Sequence, residues 1–121
     1  MADEITLTVG TIASKGSLSV QLAPRTFQTD LTGTRFIRNV QAVGTTHEAL
    51  VVGDLASAGV YTITNLDATN FAELGVDVAG TFYPVDKILP GETIQSRLSS
   101  LTRHVQADTA AVNLDILIFE A

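Results

Sequence analysis

Apolar and polar residues alternate with a period of two along most of this chain, the pattern of strands that bury one face of a sheet. Ile5, Leu7 and Val9 alternate with Thr6 and Thr8, predicting a short first strand that ends at Gly10. Leu18, Val20 and Leu22 alternate with Ser17, Ser19 and Gln21, a second half-buried strand. Pro24 is expected to stop its ladder, because proline has no N–H to donate. The polar segment from Arg25 to Gly33 reads as a loop. A longer strand follows over Thr34 to Val43, with Phe36, Arg38, Val40 and Ala42 on one face and Ile37, Asn39, Gln41 and Val43 on the other. Neither face is purely apolar, which suits an edge strand or one that touches another subunit.

The pattern continues through a short apolar run at Ala49–Val52 and an alternation over Val60–Thr64. Phe71–Val76 resumes a strand that ends near Gly75, and Asp77–Gly80 reads as a turn. Phe82–Leu89 is interrupted by Pro84, which places it at a sheet edge. Pro90-Gly91 has the residues of a type II turn, proline setting the first central dihedral and glycine supplying the positive second one. Thr93–Leu98 and Val105–Ala107 are further strands. The strongest alternation is Val112, Leu114, Ile116 and Ile118 against Asn113, Asp115, Leu117 and Phe119, whose second face is also partly apolar. That predicts a central strand or one sealed by a partner. About eight to ten short strands with turns between them, and no sustained helical period, predict an all-β fold: an antiparallel β-sandwich or small barrel. One domain is expected over residues 1–121, with residues 1–10 available as an extended arm whose Ile5, Leu7 and Val9 pair with a neighbour's sheet edge.

Length and charge narrow the classes. A chain of 121 residues is long enough for one core. Thirteen acids face seven scattered bases, for a net charge of −6, which disfavours binding to a phosphate backbone. Only 17% of residues are charged, against about 25% in an ordinary soluble domain; such a surface is expected to be covered in part by partner subunits. No run approaches the ~18 apolar residues of a membrane-spanning helix. The first ten residues carry two acids and no base, so no secretory signal is expected and folding is placed in a cytoplasm. Without cysteine there is no disulfide framework.

Chemistry-bearing motifs are scarce. His47 and His104 are distant in sequence and in neither an H-x-H nor an H-E-x-x-H pattern, so they read as separate surface histidines. There is no G-x-S-x-G elbow and no phosphate-binding glycine loop. The acid pairs Asp67/Glu73 and Asp77/Asp86 lack the aromatic platforms of a sugar site, with no Trp and two Tyr in the chain. Asp67, Asn70 and Asp77 lack the spacing of a calcium loop and read as turn caps. No catalytic residue, cofactor or metal site is expected, and the protein is not read as an enzyme.

One resemblance gives this architecture a job. Asn65, Leu66, Asp67, Asn70, Phe71, Leu74 and Gly75, then Leu89, Pro90, Gly91 and Glu92, then Ala107, Ala110 and the strand over residues 112–120 resemble a pattern in small tailed-bacteriophage virion proteins of the capsid decoration, or cement, type. The resemblance covers roughly the second half of the chain and departs in the first fifty residues. It implies a jelly-roll-like sandwich, a homotrimer, and attachment to the major capsid protein on the capsid surface after synthesis in a bacterial host cytoplasm. Its matched residues are structural. A head-fibre base, a tail component or a carbohydrate-binding module fits the same features.

Overall fold

The computed structural model describes residues 4–31 and 33–120. The chain divides into two compact units, Met1–Thr32 and Gly33–Ala121. Among the described residues every regular element is a strand: β1 (Ile5–Lys15), β2 (Leu18–Thr29), β3 (Phe36–Val43), β4 (Glu48–Ala49), β5 (Val60–Asn65), β6 (Ala72–Val78), β7 (Thr81–Ile88), β8 (Thr93–Arg97), β9 (Arg103–Ala107) and β10 (Val112–Phe119). No helix among the described residues is long and apolar enough to cross a membrane.

In the first unit β1 and β2 form a two-stranded antiparallel hairpin. Gly16, with φ of 58°, opens the two-residue turn between them, the position where a type II′ turn wants glycine. Three expectations need correction here. β1 does not end at Gly10, Pro24 does not stop β2, and Arg25–Thr29 is strand rather than loop. The reason lies in the register. It shifts between Val9 and Thr11, so the ladder skips from the Val9–Arg25 pair to the Thr11–Leu22 pair. Pro24 falls inside that irregularity, where its missing N–H costs no ladder bond. Gly10 lies alongside: a Cβ there would come within 3.2 Å of both the Cα and the Cγ of Pro24.

The second unit is an antiparallel β-sandwich of two four-stranded sheets, with orders β3-β10-β5-β8 and β4-β9-β6-β7. Alternation explains why they stack. Val43, Ile63, Val112, Leu114, Ile116 and Ile118 of the first sheet share one core with Ala72, Leu74, Ile88, Val105 and Ala107 of the second. Burying a side chain of this size contributes about 1.5–3 kcal/mol. β10 is the central strand that its pattern predicts, paired with β3 and β5. On its other face Phe119 meets Phe36 of β3, ring centroids 5.9 Å apart. β3 and β7 are edge strands. In β7, Pro84 lies opposite Gly75 beside a register shift, and a Cβ on Gly75 would overlap the backbone carbonyl of Tyr83.

The Asn65–Asp67 corner binds this sandwich together. Asn65 is fully buried. Its side-chain amide donates to the carbonyls of Asn70 and Ile88 at 3.0 Å each, and its Oδ1 accepts from the Asp67 N–H at 2.8 Å. Asp67 Oδ2 accepts from the backbone N–H groups of Thr69 and Asn70. These bonds, Asn70 first, hold the partly exposed Asp67 carboxyl below its ordinary pKa. Across the corner Gly91, at φ of 80°, donates to the Asn65 carbonyl, and Asn65 N–H donates to that of Glu92. The Glu92 carboxylate accepts from Leu89 N–H at 2.9 Å. The Asn, Asp, Gly and Glu positions therefore close turns.

Candidate functional site

Among the described residues, His47, Asp77 and His104 converge on the β4-β9-β6-β7 sheet. His104 lies on β9 opposite Gly75 of β6 and Ala49 of β4. Asp77, two residues beyond Gly75, shares that face because side chains alternate along a strand. Its partner across the β6–β7 pair is Phe82. Ala79 and Gly80, with φ of 53° and 89°, make the two-residue turn between these strands; positive dihedrals at both positions mark a type I′ hairpin. His47 immediately precedes β4.

His47 is the hub. Its ring stacks on Phe82 with centroids 5.5 Å apart and planes 19° apart. Its Nε2 faces the Gly80 carbonyl at 3.2 Å and Asp77 Oδ1 at 3.8 Å. Its Nδ1 is 3.0 Å from Nδ1 of His104. A carbonyl only accepts, so His47 Nε2 carries the hydrogen on that side, and in the neutral ring its Nδ1 presents a lone pair. His104 Nδ1–H is then the donor between the rings. The His47 and Asp77 side chains keep 22% and 30% of their surface exposed, so solvent solutes reach the cluster.

This corrects the expectation of two separate histidines. Asp77 likewise joins neither Asp67 and Asn70 nor Asp86. Asp67 is engaged in its own turn, and Asp86 is the register partner of Leu74, on the other side of the strand from Asp77. Glu73 pairs with Lys87 and Gln106 rather than with Asp67. The signal that would have found the site is cross-strand register: placing His104 opposite Gly75 puts Asp77 on the same face. That register follows from which strands pair, and periodicity does not reveal it.

The candidate arm residues have a different fate. Ile5, Leu7 and Val9 pair with Thr29, Phe27 and Arg25 of their own hairpin. Ile5 and Leu7 are buried. Residues 1–3 of the expected arm lie outside the described residues. Val9 is nearly half exposed, and farther along Leu18, Val20 and Leu22 fall on one face of β2, each about half exposed, while Ile12 is 79% exposed on β1.

Two other places hold little chemistry. A surface hollow of about 400 Å³ is lined by Thr34, Arg35, Phe36, Ile37, Gly53, Asp54 and Leu55, and within it the Arg35 guanidinium donates to the Asp54 carbonyl at 2.8 Å. Tyr61 is buried, and burial, with Asp86 adding to it, raises its phenol above the ordinary range, which makes it a poorer acid at neutral pH. Comparison with known protein families, with curated proteins and with solved structures finds no match for this chain.

Proposed function

We propose that the protein is a structural assembly module, a virion component of the capsid decoration type, held on a phage shell by contact with the major capsid protein and with copies of itself as a homotrimer. The observation that carries this reading is the β1–β2 hairpin. It is two-stranded, 11 and 12 residues long, and leaves Ile12, Leu18, Val20, Leu22 and Phe27 exposed. A lone two-stranded hairpin is marginal in water. Apolar side chains in a row and unpaired strand edges are the features that strand addition to a partner uses.

The strand order supports the same reading. Eight strands in two four-stranded sheets, β3-β10-β5-β8 and β4-β9-β6-β7, fit a jelly roll, the sandwich that the sequence resemblance implies. A cement protein works by contact area, and contacts repeated by symmetry stabilise a shell even when each is weak. Low charge suits that task.

The test is co-sedimentation of the purified protein with capsids of its own major capsid protein, with light scattering on the free protein. Saturable binding and a trimer mass are expected. Removal of residues 1–31 is expected to leave a folded sandwich that no longer sediments with capsids. A full-length monomer without capsid affinity overturns the reading.

A further inference from the structure

We propose that His47, His104 and Asp77 form a binding site for a divalent transition-metal ion of the zinc class, independent of the assembly role. One ligand atom from each residue lies within 4.8 Å of the other two. Two imidazoles and a carboxylate are the donor set of such ions, whereas calcium and magnesium take oxygen ligands.

The distances suit one ion. Two nitrogens bound at about 2.0–2.1 Å in a tetrahedron are about 3.3–3.4 Å apart. The two Nδ1 atoms are 3.0 Å apart, so an ion replacing the hydrogen between them asks the rings to part by a few tenths of an ångström. His104 then moves its hydrogen to Nε2, leaving Nδ1 free to ligate. Asp77 Oδ1 lies 3.8 Å from His47 Nε2, so its side chain would have to turn toward the Nδ1 edge to reach the ion, and its partial exposure gives room for that rotation. Three protein ligands leave a fourth position for water.

The surroundings prepare His47 for this role. A ligating histidine usually donates its other ring N–H to a carbonyl or carboxylate, which fixes tautomer and orientation. Gly80 supplies that carbonyl at 3.2 Å, from a turn held by two positive dihedrals, and Phe82 supports the ring from its face. The ion would add a link across three pieces of chain that are already neighbours in one sheet: the segment entering β4, strand β9 and strand β6. β4 is only two residues long, so it gains most from such a clip.

The experiment titrates the full-length protein with ZnCl2 after EDTA treatment and dialysis, by calorimetry, with CoCl2 as a spectroscopic probe and MgCl2 as control. One zinc per chain, visible cobalt absorption of a nitrogen- and oxygen-ligated ion, and a rise in melting temperature with zinc but not magnesium are expected. His104→Gln is expected to abolish these signals. Asp77→Asn, which keeps the shape and removes the charge, is expected to weaken zinc by roughly 10–100-fold. Circular dichroism checks that each variant is folded; if His104→Gln is not, Asp77→Asn decides. Absence of saturable zinc binding, or zinc affinity unchanged in the folded variants, overturns the proposal and leaves a hydrogen-bonded histidine pair.

Discussion

The hairpin and the sandwich use the same alternation to opposite ends. In the sandwich, the apolar phase of β5, β6, β9 and β10 is answered by an apolar phase from the facing sheet, and Ile63, Leu114, Ile116 and Ile118 are wholly buried. In the hairpin, Leu18, Val20 and Leu22 keep the same spacing yet remain about half exposed. Period two establishes that one face of a strand avoids water; it does not say whether the cover comes from the same chain. A strand whose apolar face stays open within its own chain is a place to look for an external cover.

Substitutions can break this contrast, beginning with the largest expected effect. Ile116→Ala removes a fully buried side chain from the central strand and is expected to cost about 2–5 kcal/mol in denaturant unfolding. If the loss were below 1 kcal/mol, as on an exposed surface, the distinction between the two regions would fail. Asn65→Ala leaves the Asp67 N–H and two carbonyls without their partner, at about 1–3 kcal/mol for each group that water cannot reach; thermal melting with hydrogen exchange at Asp67 and Asn70 would locate the damage. Gly75→Ala drives a methyl into the Tyr83 carbonyl and is expected to cost about 1–3 kcal/mol, read from the same melts. The combined substitution Leu18→Ser, Val20→Ser and Leu22→Ser should change sandwich stability by less than about 0.5 kcal/mol while abolishing capsid binding. A large stability loss would mean that this face is already part of the folded core.

The smallest effect concerns pH. Asp67 has a folded pKa below its ordinary value, so its contribution to stability is present above the unfolded pKa and is lost as pH falls through the folded one. Asp67→Asn is expected to flatten the acid limb of the stability profile and to leave the neutral-to-alkaline limb unchanged. Stability curves of the two proteins between pH 2 and 8 check this; parallel acid limbs would remove Asp67 as the cause.

Much of the sandwich is legible in the sequence because its strands carry their pattern locally. The Val112–Ile118 alternation marks the central strand, Pro84 marks an edge, and Pro90-Gly91 marks a turn with a positive dihedral. Local signals mislead at Gly10 and Pro24, where each residue read alone ends a strand. Opposite one another in a bulge, they let the hairpin continue. The histidine cluster is invisible for a related reason. His47, Asp77 and His104 come from three separate segments, and only the pairing of β9 with β6 and the approach of the β4 entry bring them together. The Asn65 corner lies between these cases. Its residues announce a turn, but the burial of Asn65 and its bond to Ile88 depend on tertiary packing.

The irregularity at Gly75 and Pro84 has a consequence for how copies of this chain can add to one another. A regular edge strand accepts an incoming strand, which offers a new edge in turn, and such growth has no natural end. At β7 the proline removes a donor and the bulge bends the rail, so an arriving strand finds no continuous ladder. Joining through the hairpin, as proposed above, would instead involve a defined element once per chain. Addition of that kind can close on itself in a ring of fixed number, where edge-to-edge stacking would run on into a fibre.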